Sequence, residues 1–155
     1  VLMHDRMTVA HLGDSRCYRY RAGVLEQITR DHCWVDEQIA MGALSVDAIL
    51  DTRYRNIVTR ALGIEDEIDL EVHDHEALVG DIFLLCSDGL TDMLDDAAIN
   101  AHFMAGKPLG ETASLLVDAA NEAGGRDNVS ALLVQVGTPQ SPGWAARLVR
   151  RLQGG

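Results

Sequence analysis

Gly80-Asp81-Ile82-Phe83-Leu84-Leu85-Cys86-Ser87-Asp88-Gly89-Leu90-Thr91-Asp92 is the stretch on which the reading of this chain turns. Gly80-Asp81 is a turn signal, and Ile82 to Ser87 is a continuous apolar run of the kind found in a central strand covered on both faces. After Asp88-Gly89 the pattern becomes helical. Leu90 to Leu94 supplies a turn or two, and Asp95-Asp96 opens a second helix that runs to about Ala105. A buried strand that ends on Asp-Gly holds a carboxylate at its tip, where small neighbours allow close backbone approach. Such a carboxylate can reach a hard cation without burying an unpaired charge.

Toward the C-terminus, Pro108 to Ala123 carries the clearest helical pattern. Proline stands at its start, Leu109, Ala113, Leu116, Val117 and Ala120 follow at helical spacing, and Gly124-Gly125 stops it. Gly125-Arg126-Asp127-Asn128 then leads into an apolar strand, Val129 to Val136. Asp88 leaves one strand and Asp127 enters another, with two helices between them. If those strands are antiparallel neighbours, both carboxylates arrive at one end of the sheet.

Toward the N-terminus, Met7 to Leu12, Arg16 to Arg21 and Val24 to Thr29 read as three strands of an antiparallel meander. Gly13-Asp14-Ser15 is the tight connection between the first two. In the second strand the alternation puts Tyr18 and Tyr20 on one face and Arg19 and Arg21 on the other. Helices are expected over 34–41 and over 46–51, the latter capped by Ser45. Ile68 to His73 alternates like a half-exposed strand.

Composition bounds the rest. The chain has 155 residues, 47% of them hydrophobic, enough for one domain with its own core. Its net charge of −11 repels nucleic acid and anionic membranes, so neither is expected as a partner of the main body. Cys17, Cys33 and Cys86 form no Cys-x-x-Cys pair, and Cys86 reads as a small buried hydrophobe; a reducing cytoplasmic setting is expected. No apolar run approaches the ~18 residues of a membrane helix. Val1-Leu2-Met3 runs straight into strand-like sequence without an initiator methionine, so a truncated chain is expected, poorly stable and catalytically silent by itself.

Asp14, Asp88 and Asp127 thus stand at three strand ends beside glycine, serine or asparagine. Together they suggest a polynuclear, oxygen-ligated metal site suited to Mg²⁺ or Mn²⁺, in which a bridging water is activated for in-line attack on phosphorus. Other motifs are weaker. His73 and His75 share a strand face at zinc-compatible spacing but show no third ligand nearby. Ser87 lacks a Gly-x-Ser-x-Gly elbow. Asp88 to Asp96 lacks the order of an EF-hand. Residues 138–155 read as a linker and a short basic amphipathic tail, with Arg147, Arg150 and Arg151 among Trp144, Leu148, Val149 and Leu152. Packing or fraying is its expected state, and contact with a membrane or a partner is the alternative.

Five blocks in order resemble the bacterial metal-dependent serine/threonine protein phosphatases of the type 2C, or PPM, family. They are Val9-Ala10-His11-Leu12-Gly13-Asp14-Ser15-Arg16-Cys17-Tyr18, Ile28-Thr29-Arg30-Asp31-His32, Asn56-Ile57-Val58-Thr59-Arg60-Ala61-Leu62-Gly63, Gly80 to Asp92, and Gly125-Arg126-Asp127-Asn128-Val129-Ser130. The resemblance covers about residues 8 to 136 and matches the C-terminal two-thirds of the family domain, so residues 1–137 read as a partial domain. It implies an α+β fold, a four-layer αββα sandwich of two antiparallel sheets flanked by helices, here without its N-terminal strands.

The same resemblance implies that Asp88 and Asp127 ligate a binuclear Mn²⁺ or Mg²⁺ centre and that Asp14 helps hold a third ion. It also implies that residues from about Asp31 to Arg60 form a substrate-selecting flap. The family's N-terminal aspartate motif, phosphate-binding arginine and acid histidine have no counterpart here. Arg16, Arg60 and Arg126 are expected to be salt-bridged structural residues and not substitutes for that arginine. The implied activity is hydrolysis of phosphoserine and phosphothreonine in proteins by metal-activated water. A Ser/Thr kinase and its targets are the implied partners. An inactive phosphatase-like binding module is the alternative.

Overall fold

The computed structural model describes residues 1–3, 5–32 and 70–138. Seven strands and three helices occur among them: β1 (Leu2–Met3), β2 (Arg6–His11), β3 (Arg16–Arg21), β4 (Val24–Gln27), β5 (Glu71–Glu76), β6 (Ile82–Cys86), α1 (Asp88–Thr91), α2 (Asp96–Met104), α3 (Leu109–Glu122) and β7 (Ala131–Gln135). The helices expected over 34–41 and 46–51, most of the flap and the tail lie outside the described residues.

Two antiparallel sheets form, one in the order β1-β2-β5 and one in the order β4-β3-β6-β7. The expected three-strand meander is therefore corrected. β3 and β4 do pair, but β2 belongs to the other sheet, where β5 joins it with His11 opposite Glu71. The chain changes sheets at Gly13, whose φ of 95° lies in the left-handed region open to glycine. β5 runs past His73, where the expected alternation ends, to Glu76; residues 68 and 69 lie outside the described residues.

β6 has the double cover its sequence calls for. Phe83 packs between the sheets with Met7, Val9, Cys17, Ala77 and Val136. Leu84 and Cys86 face the helices, in a cluster with Tyr18, Leu90, Ile99, Phe103, Leu116 and Ala120. Strand alternation assigns each side chain to one of these two cores. The helices pack because α2 presents Ile99 and Phe103 and α3 presents Leu116 and Ala120 to the outer face of the second sheet. Asp95 caps α2 by accepting from the Ala98 amide at 2.8 Å. Cys17 and Cys86 are buried, and burial pushes their thiols up to about 11 and about 12, so both act as core hydrophobes.

One ion pair joins the strand ends away from Asp88. Arg21 donates to both Asp81 oxygens, Nε to Oδ1 at 2.8 Å and Nη2 to Oδ2 at 2.7 Å, while the Leu78 amide also donates to Oδ2 at 2.8 Å. The Arg21 guanidinium holds the buried Asp81 carboxyl below its ordinary value. A carboxylate whose folded-state pKa is depressed stabilises the fold above its unfolded value near ~4, and that contribution is lost as the pH falls through the folded value. Arg21→Met is therefore expected to move the acid-unfolding midpoint to higher pH, because Asp81 then protonates more readily. Melting followed by circular dichroism across the acid range checks this. An unchanged midpoint would mean that Asp81 does not depend on Arg21.

Candidate metal centre

Three neighbouring strands of the second sheet carry the expected aspartates at one end, although the three carboxylates do not all lie within 4.8 Å of one another. The register pairs Arg16 with Cys86 and Cys86 with Ala131, so the residues before β3, after β6 and before β7 lie side by side. Those residues carry Asp14, Asp88 and Asp127. The antiparallel pairing of β6 and β7 is the arrangement expected from the sequence.

Backbone contact ties the last two corners. The Ser87 amide donates to the Ser130 carbonyl at 3.2 Å, the Ser130 amide donates to Ser87 Oγ at 3.0 Å, and Ser87 Oγ donates to the Asn128 carbonyl at 3.0 Å. Gly89 lies so close that a Cβ there would sit 2.4 Å from the Asn128 carbonyl oxygen. Glycine is needed at that position for space.

Each carboxylate keeps one oxygen on its neighbouring amide. Asp88 Oδ1 accepts from the Gly89 amide at 2.9 Å, and Asp127 Oδ1 accepts from the Asn128 amide at 2.7 Å. Their second oxygens accept no hydrogen bond among the described residues. Asp14 is half-buried; that burial, then the Asp88 charge, raises its carboxyl above the ordinary value, with smaller contributions from Asp31 and Asp92. A cation relieves such crowding, and an all-carboxylate donor set suits Mn²⁺ or Mg²⁺, so the residues present fit a hard divalent ion.

The arginines divide. Arg16 is engaged by Asp31, with Nε at 3.0 Å from both oxygens and Nη2 at 2.7 Å from Oδ2, and it also donates to the Tyr18 hydroxyl. It is the structural arginine expected. Arg126, by contrast, is exposed and makes no ion pair among the described residues; Arg60 lies outside them.

His73 and His75 share one face of β5, their ring centroids 6.5 Å apart. Glu71 Oε2 lies 3.6 Å from His73 Nε2, but His73, His75 and Glu71 do not converge as a three-donor group. Glu71 also faces His32 and His11, a cluster invisible in the sequence because β5 joins β2 across some sixty intervening residues.

Two antiparallel sheets with helices packed on one of them define an α+β scaffold, and the chain is similar over most of its length to the PPM-type serine/threonine phosphatases. No family model matches the chain. The serine/threonine phosphatase Stp of Listeria innocua is 33% identical over 135 residues, which are 87% of this chain and 54% of that protein. The solved serine/threonine phosphatase of S. agalactiae superposes with a TM-score of 0.80 at 32% identity, over 87% of this chain and 56% of that one. The catalytic domain of the phosphatase PstP, solved in complex with two manganese ions, superposes with a TM-score of 0.74 at 32% identity, over 89% of this chain and 56% of that one. The chain thus spans about half the length of the curated relatives it matches, less than the two-thirds the motifs suggest.

Proposed function

We propose that this chain supplies the acidic half of a binuclear Mn²⁺ or Mg²⁺ centre in an enzyme that hydrolyses phosphoserine and phosphothreonine esters of proteins. The placement of Asp14, Asp88 and Asp127 at the ends of three adjacent strands, with Asp88 close enough to raise the Asp14 carboxyl, supports this reading. The PstP structure with two manganese ions supports the metal assignment by likeness. When bound, such ions bring a coordinated water toward a pKa of ~7 and neutralise charge on the phosphoryl oxygens.

The protein's own part is positioning. Asp88 and Asp127 offer the oxygens not engaged by their neighbouring amides, and the Ser87 bridge fixes the two loops at one separation. Asp14 stands beside Asp88 as a peripheral ligand for a third ion. Phosphorylated proteins are the substrates, a Ser/Thr kinase and its targets among them, and the cytoplasm is the compartment. Among the described residues no helix is long and apolar enough to cross a membrane.

Turnover of a phosphothreonine peptide should require Mn²⁺ or Mg²⁺ in a polypeptide that joins this chain to the N-terminal aspartate strand found in the family. Turnover that survives EDTA would overturn the reading. Asp14→Ala should leave tight Mn²⁺ binding in place and lower turnover, because its ion is peripheral. Isothermal titration beside the peptide assay separates the two effects. Equal loss of Mn²⁺ affinity in Asp14→Ala and Asp127→Asn would remove the distinction.

A further inference from the structure

The described residues contain a second cluster with ligand chemistry, on the other sheet. His11 ends β2, Glu71 stands opposite it on β5, and His32 folds over both from the segment after β4. One ligand atom from each lies within 4.8 Å of the others. His32 Nε2 is 3.3 Å from Glu71 Oε1, and the His11 and His32 rings are 4.9 Å apart. His11 is 8% exposed, and both of its ring nitrogens are buried with no hydrogen-bond partner of good geometry among the described residues. The Ser15 backbone lies beside that ring without reaching hydrogen-bond geometry.

We propose that His11, His32 and Glu71 form a binding site for zinc or a similar divalent transition ion, separate from the aspartate cluster. Two imidazoles and a carboxylate, with a fourth position left for water, are a recurring zinc donor set. Tetrahedral ligands at ~2.0–2.1 Å from zinc stand roughly 3.3 Å apart. The His32–Glu71 pair already has that separation, and the His11 ring needs a shift on the order of 1 Å. Imidazole selects zinc, cobalt or copper over Mg²⁺ and Mn²⁺, so the two sites differ in the ions they take. Burial lowers the His11 pKa and keeps the ring neutral, as a ligand must be. The bland alternative is a histidine pair that only packs and steadies the loop; its weakness is that it leaves the buried His11 nitrogens without a hydrogen bond of good geometry among the described residues.

Binding at this site acts on the turn that carries Asp14. The Gly13 amide donates to His32 Nδ1 at 3.2 Å, and the His32 amide donates to the Gly13 carbonyl at 2.8 Å. Neutral His32 therefore holds its proton on Nε2, toward Glu71. Coordination through Nε2 moves that proton to Nδ1, where it meets the Gly13 N–H, and two donors cannot share that contact. Zinc occupancy thus opens the Gly13–His32 side-chain hydrogen bond and shifts the Gly13-Asp14 turn.

A polypeptide that joins this chain to the family's N-terminal aspartate strand, held in excess Mg²⁺ to occupy the aspartates, is titrated with Zn²⁺ by calorimetry and with Co²⁺ by visible absorption. Imidazole ¹⁵N and Gly13 amide signals are followed by NMR in parallel. One equivalent should bind, move the ring signals of His11 and His32, and displace the Gly13 amide. His11→Phe, which keeps the buried bulk, and Glu71→Gln should each weaken binding tenfold or more. Asp88→Asn and the distant His102→Ala should leave it unchanged. Ring signals of His11 and His32 that stay still at one equivalent of Zn²⁺ would overturn the proposal without recourse to any variant. Loss of the site in Asp88→Asn with retention in His11→Phe would overturn it too, by assigning the ion to the aspartates.

Discussion

In a polypeptide that joins this chain to the family's N-terminal aspartate strand, Asp127→Asn and Asp88→Asn are each expected to lower Mn²⁺ affinity by roughly a hundredfold or more and to abolish Mn²⁺-dependent phosphopeptide hydrolysis at modest metal concentration. Partners one shell out from a metal are already worth ~10–100-fold, so removal of a direct charged ligand should exceed that range. The amide keeps the size of the carboxylate and its ability to accept from the Gly89 or Asn128 N–H. What it removes is the negative charge that the cation sees. Calorimetric titration with Mn²⁺, alongside peptide turnover, reads both effects. Mn²⁺ affinity within about threefold of the parent in Asp127→Asn would make that residue a loop-forming aspartate and dissolve the proposed pair.

The second large effect is steric and lies one residue from the site. Gly89→Ala places a Cβ 2.4 Å from the Asn128 carbonyl oxygen and 3.0 Å from its carbon. Both are backbone atoms, so no side chain can swing aside. The Asp127-Asn128 loop has to move away from Asp88, or the end of β6 has to separate from β7. Overpacking of this kind costs about 1–3 kcal/mol, a drop of roughly 2–12 °C in Tm for a chain of this size. Metal affinity should fall with it, because the two carboxylates no longer stand at their native separation. Gly110→Ala is the control: nothing lies within 4 Å of a Cβ there, and α3 should gain slightly from the better helix former. Equal melting temperatures for the two variants would show that the Gly89–Asn128 contact has slack.

Much of the candidate site was legible because local rules and the strand-end positions coincide. The run Ile82 to Cys86 has apolar side chains on both faces, which marks a strand with cover on either side, and the two cores do meet there. Asp88 and Asp127 flank strands joined by three helices, and antiparallel pairing was the economical connection. α2 and α3 kept their expected extents to within a few residues, since Asp95, Pro108 and the Gly124-Gly125 stop act locally. The alternation of Tyr18 and Tyr20 with Arg19 and Arg21 likewise told which residues share a face.

Partners were another matter. Period-two alternation says which face of a strand is buried, but carries no label for the strand that will lie beside it. β2 and β3 are separated by a short turn and alternate alike, yet they sit in different sheets, because the positive φ of Gly13 lets the chain cross between layers. That crossing leaves β2 to be completed by β5, and only this long-range pairing sets Glu71 against His11 and beneath His32. By itself the sequence determined the strand-end aspartates, the doubly covered strand and the helix limits, all of which depend on neighbours a few residues away. The tertiary structure alone decided how strands divide between the sheets, that Arg16 is spent on Asp31 while Arg126 stays free of ion pairs among the described residues, and that two histidines and a glutamate converge. Those outcomes depend on contacts between distant segments, whose energies come from packing and burial that no local pattern encodes.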